Sequence, residues 1–200
     1  MEIVIQAVRK RQNNVDILTK KLPNAKVVWD ENLEGGFKTF TKILKIPFTG
    51  YRLHLQDDAM VPNDLECYLH EVETIMQDND IHVMSVYVPQ RKFLKEQYEK
   101  GVRFSEFPNF LTMVACVFSK EVTDKMIAYL DIAKENKHDD SFVQEFLSKH
   151  KMKAYVHYPS LVQHSIVLKS VMKNPNTDKR QSFCFDKNFI SNYLKNQDHE

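Results

Sequence analysis

The stretch Tyr51–Leu65, "YRLHLQDDAMVPNDL", decides the fold. A run of strand character at 51–56 ends in two adjacent aspartates, Asp57 and Asp58, before a turn at Pro62 and a new helical pattern. Upstream, "EIVIQAV" at 2–8 reads as a buried opening strand, and "AKVVW" at 25–29 as a second strand closed by Asp30. Val15, Leu18 and Leu22 recur at helical spacing before Pro23, and Phe37, Phe40, Ile43 and Leu44 do so before Pro47. Strand and helix therefore alternate from residue 2 to residue 58. That order predicts an α/β domain with a mostly parallel central sheet flanked by helices.

Downstream, Leu65, Leu69, Val72, Ile75 and Met76 predict a helix, and "IHVMSVYV" at 81–88 a fourth strand. The mixed segment 89–110 reads as a short helix plus a loop or hairpin. "LTMVACVF" at 111–118 is a strong central strand, after which Ser119 is placed to cap a helix running to about Ala133. Asp139 and Asp140 open another helix, with Phe142, Val143, Phe146 and Leu147 as its apolar face. "KAYVHY" at 153–158 is the last clear strand. Residues 1–167 are expected to form one domain, with the polar tail 168–200 and a short helix at 187–195 as part of it.

Of the 200 residues, 42% are apolar and 28% charged, enough for one domain with a real core. Only four glycines are present, and neither the dinucleotide-binding G-x-G-x-x-G nor the P-loop pattern occurs. With 28 basic and 27 acidic residues the surface is not uniformly basic, which leaves room for one basic face. Three well-separated cysteines, Cys67, Cys116 and Cys184, suggest free thiols in a reducing compartment. The opening "MEIVIQAVRKR" does not read as a signal peptide, and no run is long enough to cross a bilayer. The expectation is a cytoplasmic protein without a membrane partner.

Ligands of open α/β sheets gather outside the carboxyl ends of the strands. Arg9 and Arg11 follow strand one, Asp30 strand two, and Asp57 and Asp58 strand three, while Asp139 and Asp140 begin a late helix. Acids crowded on one rim repel one another unless a cation or hydrogen bonds compensate. A divalent metal carrying a diphosphate would compensate, since hard oxygen ligands suit Mg²⁺ or Mn²⁺. Each acid also has a plainer reading: Asp30 as a turn former, and Asp139 and Asp140 as N-terminal helix acids. The Asp57–Asp58 pair resists that reading, because a cap needs one aspartate and the helical pattern resumes only near residue 63.

The run "HLQDDAMVPNDL" resembles the strand–EDD–x–x–P segment of small GT-A-type glycosyltransferases, including those encoded by bacteriophages. The opening "IQAVRKRQNNVDILTKKL…VVWDENLEGGFKTFTKIL" and the late "DDSFVQEFLSKHKMKAYVHYPSLVQH" are similar to their first and last parts, so the likeness spans roughly residues 3–164. The resemblance implies that Asp58 and His164 bind Mn²⁺ or Mg²⁺, with Asp57 beside them on the sugar or ribose. It places Asp30 on the nucleobase or ribose, Arg9 or Arg11 on the base edge or a phosphate, and Lys38 within reach of the donor. Asp140 or Asp139 would be the base that deprotonates an acceptor hydroxyl. Two departures stand out: Gln56 replaces the first acid of the motif, and "SIVLKS" follows His164. Lys169, Lys173, Lys179 and Arg180 either neutralise the departing diphosphate or form a solvated face.

The implied reaction moves a sugar, with UDP-glucose or a similar UDP-sugar as donor, to a hydroxyl, and inversion suits a base on a separate late helix. The implied acceptor is a hydroxymethylated or already glycosylated pyrimidine in double-stranded phage DNA, within an infected bacterial host. Such an enzyme holds phosphates and flips a base outward. Lys10, Arg91, Lys92, Lys95, Arg103, Lys179 and Arg180 are the candidate phosphate contacts, with Tyr98, Phe104 and Phe107 as candidate stacking groups. The alternatives are transfer to saccharide or lipopolysaccharide acceptors, and an inactive binding protein of the same fold.

Overall fold

The computed structural model describes residues 1–110, 112–133, 138–165 and 180–185. The expected 187–195 helix and Lys169, Lys173 and Lys179 lie outside them. In chain order the elements begin with β1 (Glu2–Ala7), a 3-10 turn (Arg9–Arg11), α1 (Gln12–Lys21), β2 (Lys26–Trp29), α2 (Gly36–Leu44) and β3 (Tyr51–Gln56). Then come β4 (Ala59–Met60), α3 (Leu65–Asp78), β5 (Val83–Ser85), α4 (Lys92–Glu99), β6 (Phe104–Glu106) and β7 (Ala115–Ser119). The last elements are α5 (Lys120–Leu130), α6 (Asp139–His150), β8 (Tyr155–His157) and β9 (Gln163–His164).

Seven strands form one sheet in the order β2-β1-β3-β7-β5-β8-β6. The pairs β1–β2, β1–β3 and β5–β8 are parallel, whereas β7 runs against both its neighbours and β6 against β8. The central 111–118 run is therefore an antiparallel strand, shorter than the apolar run that announced it. A second sheet, β4–β9, is antiparallel and pairs Ala59 with His164. Its strand β9 lies past "KAYVHY", in a segment with no apolar run to reveal it.

Period-two alternation divides the core between the two faces of the sheet. Ile3, Ile5, Leu53, Leu55, Ala115 and Val117 meet Val15, Leu18 and Leu22, and Leu65, Leu69 and Val72 of α3. The alternate residues Cys116 and Phe118 meet Phe40 and Leu44 of α2, Val122 and Met126 of α5, and Phe142 and Phe146 of α6. Each fully buried Leu, Ile or Phe contributes roughly 1.5–3 kcal/mol relative to exposure. The Ser119 cap forms as expected: its Oγ accepts from Val122 N at 3.1 Å.

Among the described residues no helix is long and apolar enough to cross a membrane.

Candidate functional site

The parallel ladder delivers several polar groups to one rim. Asp57 N donates to Gln6 O at 3.0 Å, and Asp30 N to Ala7 O at 2.8 Å, so both residues sit where their strands leave the sheet. Val8 N, at the exit of β1, donates to Asp57 Oδ2 at 2.7 Å. The turn after β1 then carries Arg11 back over the pair: its Nη1 lies 2.5 Å from Asp57 Oδ1 and 2.9 Å from Asp58 Oδ2. Asn14 of α1 donates to the Asp57 carbonyl, and Ser165 N to the Asp58 carbonyl at 2.8 Å. The β4–β9 bridge brings in His164, whose Nε2 lies 3.2 Å from Asp58 Oδ2.

Both aspartates are buried. They do not cap α3, whose N-cap is Asp64.

Burial, helped by the neighbouring Asp58, pushes the Asp57 carboxyl up, against the pull of Arg11 and the Val8 amide. Burial would raise Asp58 too, but His164, Arg11 and Arg180 outweigh it and hold that carboxyl well below the usual range. One carboxylate of the pair is thus firmly ionised while its neighbour takes a proton more readily. Such a split is common at sites that do chemistry.

His164 Nδ1 lies 2.9 Å from Ser165 O, and a carbonyl only accepts, so the ring proton belongs on Nδ1. Nε2, facing Asp58 Oδ2, pairs with that carboxylate when it too carries a proton, and in the neutral ring presents a lone pair that a cation can take. Among the described residues, Asp58 Oδ1, His164 Nε2, His54 Nδ1 and His157 Nε2 are buried side-chain atoms without a hydrogen-bond partner, and the first two belong to side chains that meet at this rim. A backbone carbonyl behind a histidine, with its other nitrogen free, is the usual outer support of a metal ligand. The two orphaned atoms therefore fit a divalent cation. Among the described residues no group of three or more His, Cys, Asp or Glu side chains is arranged to hold a metal.

The other predicted residues distribute around this centre. Arg9 is exposed; it pairs with Glu31, reaches Gln12 Oε1 at 3.3 Å, and stacks 4.2 Å above the Trp29 ring. Asp30 is buried and accepts from the Glu34 and Gly35 amides at 2.8 and 2.9 Å, so its carboxylate folds the loop leading into α2. Lys38 is exposed on α2. Arg180 is tethered by its carbonyl, which accepts from Tyr87 Oη, and by Ser182 N donating to Gln163 Oε1 at 2.7 Å. It is close enough to Asp58 for its charge to lower that carboxyl.

Asp139 and Asp140 start α6 on the α2 side of the same rim. Asp139 Oδ1 accepts from Asp140 N at 2.9 Å and Oδ2 from Gln56 Nε2 at 3.3 Å. Asp140 Oδ1 accepts from Ser141 N at 2.6 Å. Burial, with Asp140 alongside, pushes Asp139 up.

Beneath them is a network that the sequence reading missed. Gln6 and Gln56 are register partners on adjacent strands. Gln6 Nε2 donates to Gly36 O at 3.0 Å, while Gln6 Oε1 lies 2.8 Å from Nε2 of the buried His54. Burial, with Arg52 near, pushes His54 down to about 3, so its neutral ring donates to that oxygen. A Cβ on Gly36 would stand 3.3 Å from Gln6 Nε2, so the start of α2 is fitted against this amide. Polar residues inside an otherwise apolar strand, Gln6 and His54, were the available signal.

Of the candidate DNA contacts, Lys10 is exposed and Arg91 stacks 5.7 Å from the Phe107 ring. Lys92 and Lys95 each lie 3.8 Å from a glutamate one turn on, and Arg103 pairs with Glu71. Tyr98 is 41% exposed, with its ring near Tyr158 and Phe183. Phe104 packs on Tyr155. Phe107 is a correction: it is 2% exposed, packed against Phe110, and has no face to offer a base.

No family model and no curated protein sequence matches this chain. Among solved structures, A197 from STIV is 17% identical with a TM-score of 0.46, the match covering 83% of this chain and 86% of that one. The inositol-1-phosphate CTP transferase from T. maritima is 11% identical with a TM-score of 0.49, covering 90% of this chain and 75% of that one. Neither value bears on activity.

Proposed function

We propose that the chain is a metal-dependent glycosyltransferase of the GT-A type that moves a sugar from a nucleotide diphosphate, with a UDP-sugar favoured, to a hydroxyl. The observation that carries this reading is the pair of orphaned buried atoms, Asp58 Oδ1 and His164 Nε2, on a rim where Arg11 and Arg180 also converge. Asp58 and His164 would hold Mn²⁺ or Mg²⁺, which when bound supplies positive charge to the departing diphosphate. Asp57 orients the donor, and Arg9 stacked on Trp29 and the loop folded by Asp30 frame the nucleoside end. Arg180 faces the phosphates, and Lys38 stands at the approach from α2.

Asp139 or Asp140 takes the proton of the acceptor hydroxyl. Gln56 and the Asp140 amide hold Asp139 in orientation, and its raised proton affinity suits a general base. Inversion follows if the deprotonated acceptor oxygen attacks the anomeric carbon from the side opposite the departing diphosphate.

The proposed acceptor is a hydroxymethylated or glycosylated pyrimidine in phage DNA, in keeping with the sequence resemblance. One observation favours a saccharide acceptor instead: the lysines of α4 are matched by glutamates one turn away, which weakens any claim of a phosphate-binding face.

Thermal stability with a panel of nucleoside diphosphates, each with and without Mn²⁺, tests the site. Ligands that bind only the folded state raise its melting temperature. A rise with one nucleotide that requires Mn²⁺ and disappears in Asp58→Ala is the expected result. No shift with any nucleotide overturns the proposal.

A further inference from the structure

Arg11 occupies the ground a metal would claim. Its Nη1 bridges Asp57 Oδ1 and Asp58 Oδ2, and the same Asp58 Oδ2 is the oxygen nearest His164 Nε2. The arginine side chain is only 9% exposed and belongs to the joint between the 3-10 turn and α1. A divalent ion taking Asp58 and His164 arrives beside a guanidinium already bound to that carboxylate. Two cations on one carboxylate, a metal at Oδ1 and the guanidinium at Oδ2, repel, the more so out of contact with water. A diphosphate reverses the balance, because it completes the metal's oxygen shell and offers the guanidinium a second anion, which it can grip through parallel hydrogen bonds.

We propose that Arg11 is a resident counter-cation of the Asp57–Asp58 pair, which a divalent metal displaces only in company with a nucleotide diphosphate, and that the displaced guanidinium then holds the diphosphate. This rests on the assignment of Asp58 and His164 as metal ligands. Metal alone meets a carboxylate already paired with a guanidinium, and nucleotide alone meets an arginine already engaged. Together they exchange partners. Linkage requires each ligand to raise the affinity of the other by the same factor.

Free Mn²⁺, followed by its electron paramagnetic resonance signal, gives a test independent of turnover. The full chain, Arg11→Met and Arg11→Lys are titrated with Mn²⁺, with and without UDP or the diphosphate chosen by the stability panel. The wild-type chain should bind Mn²⁺ about tenfold or more tightly with the nucleotide than without it. Arg11→Met should bind Mn²⁺ alone about tenfold more tightly than wild type, and gain less from the nucleotide. Arg11→Lys keeps the charge but lacks the planar fork that can grip a diphosphate through parallel hydrogen bonds, so it should fall between. It also carries the test if circular dichroism shows that the methionine variant does not fold.

Wild-type binding of Mn²⁺ with nucleotide, joined to no gain for either variant without it, overturns the displacement while leaving the metal site intact. Binding of the diphosphate to wild type without Mn²⁺, lost in Arg11→Met, also overturns it, because the guanidinium would then stand in for the metal. Failure of all three proteins to bind Mn²⁺ under any condition removes the metal site, and the displacement with it.

Discussion

At the amino ends of β1 and β3, Arg52 is 3% exposed and each guanidinium nitrogen has a partner. Nε donates to Glu2 Oε1 at 2.8 Å, Nη1 to Ile43 O at 2.8 Å and Nη2 to Ile46 O at 2.7 Å, with the Phe48 ring 3.9 Å away. Glu2 in turn accepts from Lys26 at 2.7 Å. At the carboxyl ends of the same strands, Arg11 is shared between two buried carboxylates, and one of them keeps an oxygen without a partner. Both clusters bury an arginine against acid. The first closes its hydrogen-bonding account on itself and ties the end of α2 to the sheet; the second leaves polar atoms for something else to satisfy. Burial of charge is therefore a poor marker of function. An unpartnered buried atom marks a site only in company, since His54 Nδ1 and His157 Nε2 also lack partners; at this rim two such atoms sit on side chains that face each other.

The sharpest way to break this contrast is Arg52→Met. It strips two helix-end carbonyls and Glu2 of their donor, and should cost about 3 kcal/mol in denaturant unfolding, with Mn²⁺ binding unchanged in whatever folds. A loss of Mn²⁺ binding in folded Arg52→Met would mean that the two ends are not independent.

Asp58→Asn should cost less, about 1–2 kcal/mol, while abolishing the Mn²⁺-dependent response to nucleotide. It also has a signature in acid. The folded Asp58 carboxyl lies below its unfolded value of about 3.9, so its stabilisation is complete above that pH and lost as pH falls through the folded value. Asp57, pushed up in the folded chain, acts in the opposite sense and softens the loss. Unfolding followed from about pH 7 down to about pH 3 should thus show a shallower decline in Asp58→Asn than in wild type. Equal slopes would show that Asp58 is not held low.

The smallest effect belongs to Lys26→Ala. It removes the half-exposed outer partner of Glu2 and should change stability by about 0.5 kcal/mol or less. A larger change would place part of the Arg52 cluster's strength at its rim.

Much of this was legible in the sequence. The third strand was read at 51–56, where it stands, because its alternation was clean and a charged pair ended it. Asp57 and Asp58 stood out for the same reason, and Ser119 as a cap. The antiparallel run of β7 was not legible, since an apolar alternation is the same in either direction. Nor was the pairing of Arg11: its partners lie 46 and 47 positions on, and the parallel pairing of β1 with β3 brings them together. β9 is two residues long and carries no apolar periodicity. Asp30 looked alike as ligand or turn former until the Glu34 and Gly35 amides were seen on it. Phe107 shows the converse failure, an aromatic in a basic segment that turned inward to Phe110.

The two-residue bridge between β4 and β9 has a consequence of its own. It fastens together segments roughly a hundred residues apart, and a closure of that length is a large entropic debt for a short ladder to hold. Asp58 and His164 lie immediately beside or within that clasp. Opening it would part them without altering either side chain, so a ligand gripping both works as a rivet across that closure. Its binding should slow the exchange of amide hydrogens at Ser165 and Met60, far more than at the ends of β2.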